Sequence, residues 1–330
     1  MRITQSSDQP TTLDDLLPAS LAARLDRLDM MSRKVFAGKM PGERRSKRRG
    51  QSVEFDDYRE YSPGDDLRHI DWSIFARLDR FFVKLFREDE DLIVHVVLDD
   101  SPSMHGGAVA AGAKAGQKPA PTKAIYARRL AMAIGYIGLV NQDRVVIERF
   151  GAGPARKLAP MRGRRSLERL TSFLLEQPEP TPRSTRPEPF GDAMSRVARS
   201  RAGHGVLVLL SDFLFPEGVE RGLRYLGAAG AEGFDVTCMQ VLAPGELDPT
   251  LEMASGLRGD IRLTDVETGR ASEITISAGL IEQYGKRLDA HITAIAEACR
   301  VRGMRYLLLD TSIPVDQVVL DSLRRRRIVG

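Results

Sequence analysis

The sequence predicts an α/β fold in which a mostly parallel central sheet carries helices on both faces. Three observations predict it. Residues 92–98 (Leu-Ile-Val-His-Val-Val-Leu) and 206–210 are short runs too uniformly apolar for strands wetted on one side, as strands covered on both faces require, and 234–242 reads as a further strand. Segments with helical apolar spacing alternate with these runs, the pattern of βαβ units. Apolar residues at 42% and charged residues at 28% of 330 describe a soluble globular chain able to bury a sizeable core.

In chain order, residues 1–12 are polar. Thr12-Leu-Asp-Asp opens a helix, and Leu16, Leu21, Leu25 and Leu28 continue it to about Val35. A basic loop follows, Arg44-Arg-Ser-Lys-Arg-Arg49, set among Gly38, Pro41, Gly42 and Gly50. Residues 55–72 mix aromatics, carboxylates and arginines too densely for a loop and too irregularly for a helix. Arg59 and Arg68 are placed to pair with Asp65, Asp66 or Asp71, an ion-pair cluster that would lock a turn. Residues 81–86 alternate as a strand.

After the strand at 92–98, residues 105–122 are low in complexity. A helix over 123–140 follows, with Leu130, Ile134 and Ile137 on one face, then a strand at 144–150, a turn and a short edge strand at 155–160. Helices at 166–175, 191–200 and 218–228 frame a proline-rich stretch (177–189) and the strand at 206–210. Past the strand at 234–242, residues 261–276 form a hairpin turning near Thr268. A helix at 278–301 has Ile281, Tyr284, Leu288, Ile292, Ile295 and Cys299 as its apolar stripe. Residues 306–309 are a last buried strand and 315–326 a last helix. The expected division is an N-terminal part, 1–90, and an α/β domain, 91–330, with the hairpin inserted at about 258–277.

Net charge is +4, but unevenly spread: residues 44–49 and 324–327 are basic and 88–91 acidic. The basic runs lack interleaved aromatics and zinc-finger spacing and read as solvated surface. Nucleic acid is therefore not an expected partner, residues 44–49 being the one place it would grip. No apolar run is long enough to span a bilayer and the N-terminus has no signal-peptide pattern, so a cytoplasmic location is expected. Cys238 and Cys299, the only cysteines, sit in apolar segments and read as buried thiols.

The chemistry concentrates where two strands end. Asp99-Asp-Ser-Pro-Ser-Met follows the strand at 92–98, placing Asp99, Ser101 and Ser103 at alternate positions, and Ser211-Asp212 follows the strand at 206–210. Ligands of open α/β sheets bind beyond the carboxyl ends of strands. Carboxylates and hydroxyls are what a hard cation such as Mg²⁺ or Mn²⁺ requires. The competing reading is a helix cap, which uses the same residue types. A phosphate loop is excluded, because Gly107 and Gly112 precede Ala113-Lys114 without the Gly-Lys-Ser/Thr ending.

Asp99-x-Ser101-x-Ser103 with Ser211-Asp212 resembles the metal-ion-dependent adhesion site of von Willebrand factor A domains. Arg59-x-Tyr61-x-x-Gly64-Asp65-x-x-Arg68-x-Ile70-Asp71-Trp72, then Ala76-Arg77, resembles the signature of the bacterial family called domain of unknown function 58. The resemblance covers about residues 30–325. It implies a von Willebrand A-like Rossmannoid fold, a structural or partner-binding role for the signature residues, and a link with a MoxR-type AAA+ ATPase as an adaptor. The adhesion site normally carries a further threonine; here Thr185 or Glu188 falls near that position. The expected function is a metal-dependent protein-interaction adaptor. The alternatives are a metal-dependent phosphoester hydrolase, with Asp100 and His105 as the nearest bases, and a structural protein without a metal site.

Overall fold

The computed structural model describes residues 9–32, 54–62, 67, 70–87, 92–106, 121–177, 188–200, 203–251, 260–264, 271–275 and 278–330. The chain divides into two compact units, Gly38–Asp91 and the remainder. Residues 9–32 group with the larger unit. Their single expected helix is two short ones, α1 (Leu13–Leu16) and α2 (Ala19–Leu25). Pro18 separates them: the residue before a proline is disfavoured in helical conformation, and Leu17 has φ −144° and ψ 89°. Leu16, Leu17, Leu21, Leu25 and Leu28 are all buried in the larger unit's core.

The smaller unit pairs β1 (Glu54–Glu60) antiparallel with β2 (Phe82–Arg87), with helix α3 (Trp72–Leu78) between them in sequence. Asp71 caps α3, accepting the N–H groups of Ser73 at 2.9 Å and Ile74 at 3.2 Å, and its other oxygen accepts the Tyr58 hydroxyl at 3.0 Å. Phe75 stacks on Phe81 with ring centroids 4.4 Å apart, and Trp72 meets Phe81 edge-on. Thus the dense segment resolves into a strand and a capped helix. Of the expected ion-pair cluster, the Arg59 guanidinium donates to Ser62 Oγ and Asp71 caps α3, while Asp65, Asp66 and Arg68 lie outside the described residues.

In the larger unit the sheet is built from β3 (Ile93–Asp99), β4 (Arg144–Phe150), β5 (Arg156–Lys157), β6 (Gly205–Ser211), β7 (Phe234–Leu242) and β10 (Arg305–Asp310). A separate hairpin, β8 (Asp260–Thr264) with β9 (Ala271–Thr275), confirms the expected pairing, though its turn lies outside the described residues. The sheet order is β10-β7-β6-β3-β4-β5, every pair parallel except β4 with β5. Leaving β3, the chain adds strands on one side and then returns to add β6 on the other. This Rossmann-like winding creates a switch point between β3 and β6.

Helices α4 (Lys123–Val140) and α5 (Leu167–Leu175), with α1 and α2, cover one face. Helices α6 (Phe190–Arg199), α7 (Glu220–Ala231) and the C-terminal part of α9 (Ala278–Val301) cover the other; a short α8 (Pro244–Leu247) follows β7. Helix α4 has no wet face: from Lys123 to Leu139 all but Arg129 are buried, so its expected one-sided stripe was too narrow. The stripe of α9 is buried at Ile295 and Cys299, whereas Tyr284 is exposed. Strand β10 is an edge strand, half-buried rather than fully buried. The last helix shortens to α10 (Val315–Gln317) continued by a wider turn over Val318–Leu323. Cys238 and Cys299 are buried free thiols. Among the described residues no helix is long and apolar enough to cross a membrane.

Candidate metal centre

The switch point places the ends of β3 and β6 side by side, and the candidate residues with them. Asp99 ends β3 and is 1% exposed; Asp212 follows β6 and is fully buried. Ser211 donates its hydroxyl to Asp99 Oδ2 at 2.6 Å, and the Ser101 N–H donates to Asp99 Oδ1 at 2.8 Å. The hydroxyls of Ser101 and Ser103 lie 3.0 Å apart. Asp212 Oδ1 accepts the Leu214 N–H at 3.0 Å, and Ser211 Oγ accepts the Phe213 N–H at 2.9 Å.

Three features fix these turns. Gly151, just past β4, has φ +95°, and a Cβ there would fall 2.8 Å from the Ser101 nitrogen and 3.0 Å from Asp99 Oδ1; only glycine lets this turn close on the other. Phe213 takes φ 59°, a conformation costly for a side-chain-bearing residue. Its ring is fully buried against Phe190, centroids 6.0 Å apart, which holds the strained turn in place. Behind Asp212, the Tyr306 hydroxyl donates to Gln240 Oε1 at 2.6 Å, and Gln240 Nε2 donates to the Asp212 carbonyl at 2.9 Å.

The cap reading of the first turn does not match this geometry. Pro102–His105 forms a single tight turn without a side-chain cap, and α4 is capped by Thr122, whose Oγ1 accepts the Ile125 N–H at 3.3 Å. Asp99 closes its own turn instead.

Sequence reading missed the residue nearest the chemistry. Lys123, the first residue of α4, is 0% exposed, and its ammonium donates to Asp212 Oδ2 at 2.8 Å and to Glu246 Oε1 at 2.5 Å. Glu246, on α8, also accepts the Ala243 N–H at 2.8 Å. One signal was available: a lysine opening a helix opposes the helix dipole and calls for another explanation.

Two carboxylates, Asp212 and Glu246, thus meet the Lys123 ammonium, and Asp99 stands beside Asp212 with a hydroxyl and an N–H as its partners in place of a cation. Burial, then the Asp212 charge, push the Asp99 carboxyl from its ordinary 3.8 up to about 7, the mark of a buried acid short of positive charge. Donors and charge therefore fit a hard divalent cation. Among the described residues no three His, Cys, Asp or Glu side chains form a cage, so hydroxyls and waters would have to complete the shell.

The neighbouring groups have other work. Asp100 is bound by the buried Arg149 through Oδ2 and by the buried Arg128 at 3.4 Å through Oδ1. Arg149 also donates to the carbonyls of Phe173 and Glu176, tying the turn to the end of α5. Burial holds the His105 imidazole below its ordinary pKa. Both oxygens of Glu188 accept from Arg196, at 3.2 and 3.0 Å, and Arg196 also pairs with the buried Glu148 beside His95. Thr185 lies outside the described residues, as do Gly64, Asp65 and Arg68. Of the other signature residues, Asp71 caps α3, Trp72 opens it, and Tyr61 meets Phe81 edge-on.

Residues 57–294 match the family described as "Protein of unknown function DUF58". The chain belongs to that family. An uncharacterized protein of Mycobacterium tuberculosis is 27% identical over 303 residues, covering 90% of this chain and 87% of the relative. An uncharacterized protein of Mycobacterium avium is 36% identical over 121 residues, covering 36% of this chain and 63% of the relative. Among solved structures, the conserved hypothetical protein BatB from Bacteroides thetaiotaomicron is 17% identical with a TM-score of 0.41, covering 71% of this chain and 98% of that one. A von Willebrand factor type A structure from Catenulispora acidiphila is 12% identical with a TM-score of 0.31, covering 64% and 44%.

Proposed function

We propose that this chain is a protein-interaction adaptor that binds through a divalent metal ion, Mg²⁺ or Mn²⁺, at the Asp99 turn and works with a MoxR-type AAA+ ATPase. One observation carries the reading: two turns far apart in sequence, one with Asp99, Ser101 and Ser103 and the other with Asp212, lie side by side at the sheet's switch point, with Asp99 buried against the Asp212 charge. Ser101 and Ser103 would hold the ion, with Asp99 and Asp212 contributing directly or through water. Bound there, the ion supplies a positive charge able to take a carboxylate oxygen from a partner.

The smaller unit supports the same reading. Trp72 is 62% exposed, Leu78 61% and Phe81 42%. Large apolar side chains left together in water are what protein interfaces use as anchors. Asp100 weighs against the hydrolase reading: with its oxygens committed to Arg149 and Arg128, it is poorly placed to take a proton from water.

The test is binding of a purified MoxR-type ATPase to the immobilised chain, with Mg²⁺ present throughout so that the ATPase keeps its own requirement. Replacing Ser101→Ala together with Ser103→Ala is expected to weaken capture by on the order of tenfold or more. Equal capture by the double variant, or no capture by the wild type, would overturn the proposal.

A further inference from the structure

Lysine is among the residues least often fully buried, and a cation at a helix N-terminus meets the positive end of the dipole. Lys123 has both handicaps, being 0% exposed at the first position of α4. What holds it there is a pair of carboxylates, Asp212 at 2.8 Å and Glu246 at 2.5 Å. Asp212 is thus already answered by a cation, although it stands in the candidate metal centre.

We infer that Lys123 is the centre's own tethered cation: it neutralises Asp212 when no metal is bound and competes with a divalent ion for that carboxylate. This rests on the metal reading above and adds what sets the affinity. The two partners of Lys123 differ in a way that makes the competition reversible. Asp212 is fully buried and shares the switch point with Asp99, whereas Glu246 belongs to α8 and its side chain is 26% exposed. When an ion draws on Asp212, the ammonium keeps Glu246 and is not left as an unpaired buried charge. Glu246 is itself fixed, by the Ala243 N–H on its second oxygen and by the Tyr284 hydroxyl of α9 on its carbonyl, each at 2.8 Å. Lys123 and Glu246 therefore act on metal affinity in opposite directions.

The test measures Mn²⁺ affinity by direct titration of wild type, Lys123→Met and Glu246→Gln at one fixed pH. Lys123→Met keeps the length of the side chain and removes the competitor, and is expected to bind Mn²⁺ on the order of tenfold more tightly. Glu246→Gln leaves the ammonium with Asp212 alone and is expected to bind several-fold more weakly. Should Lys123→Met fail to fold, shown by its circular dichroism, Glu246→Gln decides by itself. Wild-type binding with Lys123→Met unchanged or weaker, or with Glu246→Gln unchanged or tighter, overturns the inference and leaves the metal reading standing. No binding by any of the folded proteins overturns the metal reading and the inference with it.

Discussion

Replacing Asp99→Asn in metal-free protein should change how stability depends on pH, and the structure gives both the sign and the size. The unfolded chain releases the Asp99 proton near 3.8; the folded chain holds it until about 7, because the carboxyl is buried beside Asp212. Between those values the folded state binds more protons than the unfolded state, so stability falls as pH rises and the cost is complete above about 7. Roughly three pH units at about 1.4 kcal/mol each give a cost of about 4 kcal/mol. Asparagine cannot ionise and escapes it. It also gives up part of the bond that Ser211 makes to Asp99 at 2.6 Å, a bond that favours the ionised carboxylate and is already contained in the value of about 7. The assay is urea unfolding of wild type and variant in a chelator across this range. The variant's stability relative to wild type should climb by up to about 4 kcal/mol from acid to neutral pH, the difference belonging to Asp99 together with Asp212, whose charge it faces, while distant titrating groups cancel. A difference that stays flat with pH would refute the account of Asp99 as a buried acid lacking positive charge.

Other consequences are independent of a metal. Gly151→Ala puts a methyl group against the Ser101 nitrogen and Asp99 Oδ1 at φ +95°, and should cost roughly 2–4 kcal/mol in chemical unfolding; a cost below experimental error would contradict the close approach. Asp71→Ala removes the cap of α3 at a cost of about 1 kcal/mol and should speed amide exchange at Ser73 and Ile74. Unchanged exchange there would mean that the cap does not form. Cys238 and Cys299 should resist a thiol reagent in the native protein and react together in denaturant, and rapid native labelling would argue against their burial.

Long, uninterrupted patterns were legible in the sequence. The spans of α4, β4, β7 and α9 match their expected bounds, because apolar runs and helical stripes of that length leave few alternatives. Strand β1 was not foreseen: a bulge between Phe55 and Asp57 breaks its alternation. The split between α1 and α2 was readable at Pro18 and was overridden by the leucine spacing. Strand β10 looks buried in sequence, but a strand's own residues do not say whether it has a neighbour on each side. In the candidate centre, Asp99, Ser101, Ser103 and Asp212 were visible as turns after apolar strands. Lys123 was not, since its partners Asp212 and Glu246 lie 89 and 123 residues away and only the fold brings them together. Gly151 could be read only as a hairpin turn, because its contact with the Asp99 turn is a matter of tertiary packing.

The most direct measurement is electron paramagnetic resonance of Mn²⁺ titrated with the protein, in which the signal of the free aquo ion disappears as the ion binds. The account expects wild type to remove about one ion per chain, and the folded Ser101→Ala, Ser103→Ala double variant to leave the free signal undiminished. A wild-type chain that leaves the signal untouched, or a double variant that binds as the wild type does, would contradict a metal centre at the Asp99 turn.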